Sequence, residues 1–552
     1  MALELSSKVI VVGLDGATMD LIGPMVAEGK LPNISKIMKS GVASKLYSTI
    51  LPLSPTAWTS FASGKNAGKH GIYDFSKRVE GRYDYKPTTS MDSKTPALWD
   101  LIGAMGGKSI VINVPLTYPV RKINGFMISG FPTPTQRGDY TYPADLLPAL
   151  KERFGEVNIH KPKVLYQKGK EEQITNETLR ITKQQTEINR YLMDSTEWNF
   201  LVSVYDATDV IGHYFWAYLD ENHPKYDPKL AKTVKQMVED IHVELDRSVG
   251  NLMEGAGPEA LKFVISDHGF GSVYYGVYVN NWLLEQNYMH FKNTVPVKAR
   301  YWAFRHGLHT YNLLQLAKKL HLVQSIESAY AEKSLKMQLL KMASLSMDDI
   351  DWTRTKVYSA GNFGQLYLNL KGREPNGIVP PEEADELIEE LVEKLQKLED
   401  PQSQRRLFDR IYARWDVFTG VASEEAPDIV FFDDEMIYAA HRMFELGSNK
   451  LVSLHPVYSG NHKMDGIMFM AGRGVKYVMG PPSVKPNLID LAPTILHFMG
   501  APIPSDMDGR ILSELFESDS DFSRRQIEFA SATNEATKIK GSLQKLTSSR
   551  HL

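Results

Sequence analysis

Acidic and histidine side chains recur at or just beyond the ends of several short apolar segments. The members of this set are Asp15, Asp209, His213, Asp267, His268 and His462. In an open α/β sheet, ligands bind in the crevice beyond the carboxyl ends of the strands. Six nitrogen and oxygen ligands are enough for two metal ions with three protein ligands each, so the set could form a two-metal site.

Each of these residues also has a purely structural interpretation. Asp15 belongs to an Asp-Gly pair, a common turn, and Asp209 with His213 could be a capping residue beside a surface histidine. The Asp209/His213 spacing nevertheless places both side chains on one face of a helix, as a ligand pair requires. Asp267 and His268 directly follow a buried segment, where two polar side chains are costly unless something binds them.

The segment LPLSPTAWTS adds a hydroxyl group that could act as a nucleophile. Ser54 and Pro55 are typical of the N-cap and first residue of a helix. Many Ser-Pro pairs only cap helices, but this position also places a hydroxyl at the positive end of the helix, where a phosphate is favoured. Thr56 is the alternative nucleophile, and Thr59 and Ser60 are poorer ones.

Short apolar segments bounded by polar residues, Gly or Pro predict the buried strands of a largely parallel sheet. These segments are 9–15, 108–114, 198–206, 261–267, 427–432 and 466–472. Helical patterns lie between them, including 178–195 and 231–253. The alternation predicts an α/β sandwich, whose strand ends would bring the polar residues together.

The alternation is interrupted from residue 286 to about 350 by a helical stretch rich in Lys and Arg. We therefore expect a first part of the catalytic core at 1–285, a basic helical insertion at 286–350, a second part of the core at 351–516 and a polar tail at 517–552.

Composition excludes several classes of function. The 552 residues can bury a large core, and 43% apolar with 23% charged residues is typical of soluble globular proteins. A formal charge of −3 shows no basic bias, so nucleic acid is not an implied partner. The absence of cysteine excludes disulfides, thiolate catalysis and Cys-ligated metals. No signal-peptide pattern and no apolar segment of ~18 residues is present, so we expect a cytoplasmic protein.

The motifs together resemble the alkaline-phosphatase superfamily. More narrowly, they resemble its type I phosphodiesterase/nucleotide pyrophosphatase group and the predicted phosphohydrolase and phosphomutase relatives of that group. The shared motifs, in order, are GLDG, a hydroxyl residue ten positions before the Gly of SG, HGI, DxxxH, DHG and GNH. Segments 350–379 and 487–512 are also similar, so the resemblance covers roughly residues 8–285 and 350–515.

The resemblance implies a role for each site residue. One metal ion would be held by Asp209, His213 and His462, and the other by Asp15, Asp267 and His268 with Ser54 bridging towards it. Ser54 rather than Thr56 is implied as the nucleophile, because it lies ten residues before Gly64. His70 matches HGI and is interpreted as a structural or supporting residue, not a ligand.

The implied activity is hydrolysis of a small-molecule phosphodiester or phosphomonoester through a phosphoserine intermediate, with two divalent ions assisting. Zinc suits these ligands best, and manganese also fits. In nucleotide pyrophosphatases, an Asn shortly after HGI helps to hold the phosphoryl group. Here the sequence is Tyr73-Asp74-Phe75, so the Asn is missing, which argues against a nucleotide substrate.

Other functions remain open at this stage. A sulfatase would need a C/S-x-P-x-R context, whereas this chain has Ser-Pro-Thr-Ala-Trp from Ser54. A phosphomutase of the same superfamily, such as a cofactor-independent phosphoglycerate mutase, is a further alternative, although its serine context differs. From another class, the chain could be a silent metal- or phospholipid-binding protein that docks through its basic insertion.

The insertion has two interpretations. In related enzymes such insertions lie above the metal pair, so a basic, aromatic roof would favour a diester or lipid-like headgroup. Alternatively, the helices pack on the core with their charges solvated. The basic residues are Arg300, Arg305, Lys318, Lys319, Lys333, Lys336 and Lys341, and the aromatic residues are Tyr301, Trp302, Phe304 and Tyr311.

Overall fold

The structure is a computed structural model that describes residues 7–162, 166, 168–309, 312–313, 316, 344–442, 448–478 and 485–531. Its strands are β1 Val9–Leu14, β2 Val42–Tyr47, β3 Ser76–Arg78, β4 Tyr85–Pro87, β5 Ser109–Ile112, β6 Gly125–Ile128, β7 Thr141–Tyr142, β8 Phe200–Tyr205, β9 Leu261–Ile265, β10 Gly269–Ser272, β11 Tyr275–Tyr278, β12 Val357–Ser359, β13 Gly364–Leu368, β14 Arg410–Ala413, β15 Ile429–Phe432, β16 Tyr438–His441, β17 Val452–Leu454, β18 Gly460–Lys463, β19 Asp465–Ala471, β20 Ile503–Pro504 and β21 Phe529–Ala530. Its α-helices are α1 Met19–Ala27, α2 Pro32–Ser40, α3 Ser54–Ser63, α4 Ala67–His70, α5 Leu98–Ala104, α6 Leu146–Phe154, α7 Glu171–Ser195, α8 Ala207–Leu219, α9 Pro228–Ala256, α10 Val279–Glu285, α11 Val295–Arg305, α12 Ala384–Gln396, α13 Arg414–Val417, α14 Leu491–Phe498 and α15 Asp521–Arg524.

An eight-stranded sheet in the order β2-β19-β9-β1-β8-β5-β6-β7 forms the centre of the fold. Its five middle strands, from β9 to β6, are parallel. At the two edges, β19 runs antiparallel to β9 and β2, and β7 runs antiparallel to β6. The predicted α/β class with a largely parallel central sheet is therefore confirmed.

The central strand β1 is buried on both faces of the sheet. Val9 and Val11 belong to the core cluster beneath α3, α5 and α14. Ile10 and Val12 belong to the opposite cluster, which α7, α8 and α9 cover. Because successive strand residues point to opposite faces, burial on both sides requires the continuous apolar sequence seen here.

Two of the six predicted strands form but do not join the parallel array. Residues 429–432 form β15 of a separate antiparallel sheet, in the order β12-β13-β15-β14. Residues 465–471 form β19, which is in the central sheet but antiparallel to both neighbours. An apolar segment indicates burial, but it carries no information about strand direction, so the expectation of parallel strands was wrong at these two places.

Only part of the predicted insertion lies within the described residues. On α11, Val297 and Phe304 pack into the core cluster around the second sheet. Arg300 forms an ion pair with Asp349, and Arg305 lies 3.6 Å from Glu285. The five lysines of the expected basic roof, together with Tyr311, lie outside the described residues, so the roof stays a prediction.

The segment expected to be a polar tail packs in part against the core. Phe522 is buried and stacks on Phe516 with ring centroids 3.6 Å apart. Residues 532–552 lie outside the described part of the chain. Among the described residues, no helix is both long and apolar enough to cross a membrane.

Candidate active site

The first group of predicted ligands follows two adjacent parallel strands. Asp15 comes directly after β1, and Asp267 and His268 follow β9 within two and three residues. His268 Nε2 lies 3.6 Å from Asp15 Oδ1 and 3.4 Å from Asp267 Oδ2. All three side chains are buried, and one ligand atom from each lies within 4.8 Å of the others. The structure thus brings this predicted set together.

The second group combines one helix with a hairpin. Asp209 and His213 lie one turn apart on α8, and Asp209 Oδ1 is 3.3 Å from His213 Nε2. His462 lies on β18, opposite Phe270 of β10, and its Nε2 is 3.4 Å from the same Asp209 oxygen. Potential ligand atoms of these three residues also lie within 4.8 Å of one another.

The two groups adjoin each other. The rings of His268 and His462, one from each group, stack with centroids 3.6 Å apart. This contact follows from the chain path, because β10 begins at the residue after His268 and pairs with the strand that carries His462. All six predicted ligands therefore line one site.

Ser54 lies beside the first group. Its Oγ is 3.4 Å from Asp15 Oδ1 and 3.5 Å from His268 Nε2. The alternative nucleophile Thr56 is fully buried, and its Oγ1 forms no hydrogen bond within the described part of the chain. The prediction that Ser54 caps the helix was wrong by one residue: Leu53 is the N-cap, and α3 begins at Ser54. The Ser54 hydroxyl is thus free of a capping role.

Three site histidines share one hydrogen-bonding pattern. The Nδ1 atoms of His213, His268 and His462 lie 3.2, 3.0 and 2.7 Å from the carbonyl oxygens of Gly460, Gly269 and Pro52. A carbonyl only accepts, so each Nδ1 must carry the proton and donate it. This hydrogen bond leaves Nε2 facing the site as the possible ligand atom, the arrangement that a metal-ligating histidine adopts.

Burial controls the protonation of the site. Burial lowers the pKa of His268 to about 4 and that of His462 to about 3, so both imidazoles are neutral at physiological pH. Burial, with the nearby Asp209 carboxylate, raises the pKa of Asp15 to about 6. The pKa of Asp267 is raised by burial and by Asp15. Burial also opposes ionisation of Asp209, but the Lys161 ammonium and His213 hold its pKa well below the usual value.

Three neighbours of the site were missed from the sequence. Trp58 donates its indole N–H to Asp15 Oδ2 at 2.9 Å. Lys161 forms an ion pair with Asp209. Asp206, at the end of β8, is buried, and burial raises its pKa to about 8 against the opposing effect of Lys161. Asp206 follows a buried strand just as Asp15 does, so the same signal could have found it.

The HGI segment supports the site from outside. His70 is fully buried, its Nε2 lies 2.8 Å from Ser60 Oγ, and its Nδ1 accepts from the Ile72 N–H. It therefore ties α4 to α3, the helix that begins at Ser54. Asp74 accepts hydrogen bonds from Asn362 N at 2.6 Å and Gln365 Nε2 at 3.1 Å.

The fold and the two Asp/His groups beside a serine define a member of the alkaline-phosphatase superfamily. Within it, the family model described as type I phosphodiesterase / nucleotide pyrophosphatase matches residues 9–443. The chain belongs to this family, and it is accordingly an enzyme of the phosphate-ester hydrolase class.

The similarity to solved structures is at low sequence identity, and it supports the fold where the TM-score exceeds 0.5. Phosphonoacetate hydrolase from Sinorhizobium meliloti 1021 is 13% identical in its phosphonoformate complex, with a TM-score of 0.51, over 90% of this chain and 95% of that one. Its phosphonoacetate complex gives 12% identity and a TM-score of 0.53 over the same shares of the two chains. Human ectonucleotide pyrophosphatase / phosphodiesterase 5 is 13% identical over 93% of this chain and 100% of that one, with a TM-score of 0.48. No curated protein matches the sequence.

Proposed function

We propose that the protein hydrolyses phosphodiesters or phosphomonoesters with Ser54 as nucleophile, at a site that holds two divalent metal ions. The observation that carries this proposal is the 3.1 Å approach of His213 Nε2 to His462 Nε2 beside the Asp209 carboxylate. In the metal-ligating tautomer, both rings and the carboxylate turn lone pairs to one point, and a bound cation is the natural partner for all three.

The donor set fits two metal ions. Asp209, His213 and His462 would hold one ion. The residues that would hold the other are Asp15, Asp267 and His268, with Ser54 alongside. In the first group, Asp267 Oδ2 is buried and forms no hydrogen bond within the described part, so a bound cation would give it a partner as well. Zinc suits these nitrogen and oxygen ligands, and manganese also fits. Bound there, such ions supply Lewis-acid activation of a hydroxyl and neutralise charge on phosphoryl oxygens.

The N-terminus of α3 positions the proposed nucleophile, Ser54. Ser54 is the first residue of α3, so the positive end of the helix faces the phosphoryl group that the hydroxyl attacks. Pro55 has no N–H, and Ala57 N donates to Leu53 O at 2.8 Å, so Ser54 and Thr56 supply the remaining backbone donors.

The reaction that we propose has two displacements. Ser54 Oγ forms a bond to phosphorus and loses its proton while the bond to the leaving oxygen breaks, and the leaving group is protonated. Water then attacks the phosphoserine, which releases phosphate or its monoester and restores the serine hydroxyl. The covalent intermediate is confined to Ser54, and this gives the proposal its most direct test.

The segment after HGI argues against a nucleotide substrate. It reads Tyr73-Asp74-Phe75 and lacks the Asn of nucleotide pyrophosphatases, and the Asp74 carboxylate is engaged with Asn362 and Gln365. Phe363, in the same turn, lies with its ring centroid 6.0 Å from that of His462. Asp74 thus anchors a turn at the wall of the site and does not serve as a phosphoryl donor. A small-molecule ester other than a nucleotide, and a cytoplasmic location, stay predictions.

A panel of esters tests the function. The purified protein is assayed with aryl phosphomonoesters, aryl phosphodiesters, natural diesters and a phosphonate, before and after chelation and readdition of zinc or manganese. We expect metal-dependent turnover and an acid-quenched phosphopeptide that contains Ser54. Turnover that survives chelation, or a phosphopeptide at another residue, would contradict the proposal.

A further inference from the structure

Lys161 contacts the candidate site although it belongs to neither ligand group. Its Nζ forms an ion pair with Oδ2 of Asp209. The other oxygen of that carboxylate, Oδ1, faces the Nε2 atoms of His213 and His462. The ammonium therefore occupies the side of Asp209 that the histidines leave open, and it does not compete with them for Oδ1.

The Lys161 side chain is held at the wall of the site by contacts on two sides, with Asp209 and with Phe131. The Nζ atom lies over the ring of Phe131, 4.8 Å from its centroid, which helps to hold the side chain in place. The Lys161 side chain is 29% exposed, whereas that of Asp209 is 2% exposed. A lysine whose side chain is partly exposed thus stands at the wall of a largely buried site.

On the basis of the function proposed above, we infer that Lys161 binds a non-bridging oxygen of the substrate phosphoryl group. An ammonium has three N–H donors, and Asp209 takes one of them. The stretch after HGI, Tyr73-Asp74-Phe75, lacks the Asn that helps to hold the phosphoryl group in nucleotide pyrophosphatases, and the Asp74 carboxylate binds Asn362. Lys161 would supply a donor and a positive charge for the phosphoryl oxygen.

The added charge has a consequence for specificity. A positive charge attracts a dianion more strongly than a monoanion, because the Coulomb energy scales with the product of the charges. Lys161 therefore contributes more to binding a phosphomonoester dianion than a phosphodiester monoanion. Loss of Lys161 lowers the preference of the enzyme for monoesters over diesters.

Calorimetric binding of inorganic phosphate tests this role without turnover. The variants are Lys161→Met, Lys161→Gln as a second neutral replacement, and Lys161→Arg, which keeps the charge. Lys168→Met is the matched control, because Lys168 lies in the same segment, is 61% exposed and pairs with Asp227 at 2.8 Å. Each protein is saturated with zinc, and its metal content is measured before titration.

We expect the two neutral variants to bind phosphate roughly 10- to 100-fold more weakly than wild type, as for a lost hydrogen bond to a charged group. Lys161→Arg should retain most of the affinity, and Lys168→Met should match wild type. The ratio of kcat/KM for p-nitrophenyl phosphate to that for bis(p-nitrophenyl) phosphate should fall in the neutral variants.

Unchanged phosphate affinity in zinc-saturated Lys161→Met and Lys161→Gln would overturn the inference. If these variants only retain metal less well, and bind phosphate normally once saturated, Lys161 is a positioning residue for Asp209 and the inference fails. A wild-type protein that holds its metals but binds no phosphate and cleaves no ester would contradict the proposed function as well.

Discussion

His213 Nε2 and His462 Nε2 lie 3.1 Å apart, at hydrogen-bond distance. Each ring donates its Nδ1 proton to a backbone carbonyl, that of Gly460 or of Pro52, and so turns Nε2 to the site. Two lone pairs at this distance repel each other unless a cation lies close to both. The backbone thus selects the tautomers that make the pair suitable for metal binding.

We expect two divalent ions per chain and loss of activity on chelation. Ligand binding to the folded state stabilises it, so readdition of zinc should also raise the melting temperature. Elemental analysis of the purified protein and thermal unfolding with and without chelator check this. A protein without stoichiometric metal, and with activity indifferent to chelator, would refute the two-metal site.

Ser54→Ala should lower turnover by several orders of magnitude and leave metal content and folding intact. Stability should change little, because the N-cap of α3 is Leu53 and no side-chain cap bond is lost. Thr56→Val is the matched control, since Thr56 is buried and its hydroxyl forms no hydrogen bond within the described part. If Thr56→Val abolishes activity and Ser54→Ala does not, the nucleophile has been assigned wrongly.

Asp209→Asn should weaken one metal ion and spare the other, and Asp267→Asn should do the reverse. The reason is that the two carboxylates belong to different groups, although those groups adjoin. Metal content after dialysis of each variant measures the effect. For Asp209→Asn, residual cleavage of an aryl ester with a good leaving group is also expected. Equal loss of both ions in each variant would argue against two separable sites.

Trp58→Phe should weaken metal binding at the Asp15 group by about 10- to 100-fold, the usual effect of removing a hydrogen-bond partner of a ligand. The indole N–H donates to Asp15 Oδ2 at 2.9 Å, so the variant leaves that carboxylate less well oriented. Trp99→Phe, in the same core cluster, controls for lost packing. Metal titration of the apoproteins measures the affinity of each variant for metal. Similar metal affinities of Trp58→Phe and Trp99→Phe would contradict the role of Trp58.

The metal-free protein should lose stability as the pH falls below about 6.5, partly because of His70. Burial lowers the pKa of His70 to about 3 in the folded protein, so the unfolded chain, with a pKa of about 6.5, binds a proton first. Between pH 6.5 and 5, this proton uptake should cost about 1.5 kcal/mol of unfolding free energy. Denaturant unfolding in the presence of chelator measures the unfolding free energy at each pH. Between the two pH values, wild type should lose more of this free energy than His70→Gln does. Equal losses in the two proteins would contradict the role of His70.

The local signals for the site were strong because burying a polar side chain at the end of a strand costs free energy unless a partner binds it. Asp15, Asp209 and Asp267 were proposed as ligands in this way, and the α8 spacing placed His213 on the same face as Asp209. The Ser-Pro helix start made Ser54 a candidate beside Thr56, with an error of one residue in the cap because helix ends are poorly defined by sequence. The choice of Ser54 over Thr56 came from the family resemblance.

His462 shows where this reasoning stops. It precedes β19 and does not follow it, so a rule based on the carboxyl ends of strands does not explain its place. The structure explains it: β19 is antiparallel to β9, so its beginning lies at the edge where β9 ends. Strand direction depends on how the chain returns to the sheet, which a short apolar segment does not encode.

By itself, then, the sequence determined the α/β class and predicted the candidate ligands and the candidate serine, because these depend on residue type, local spacing and burial. Only the tertiary structure showed which side chains outside that set lie against its members. Trp58 beside Asp15 and Lys161 beside Asp209 come from a helix face and from a loop, across 43 and 48 residues of chain. No local pattern marks such contacts, because they arise only when distant segments pack against one another.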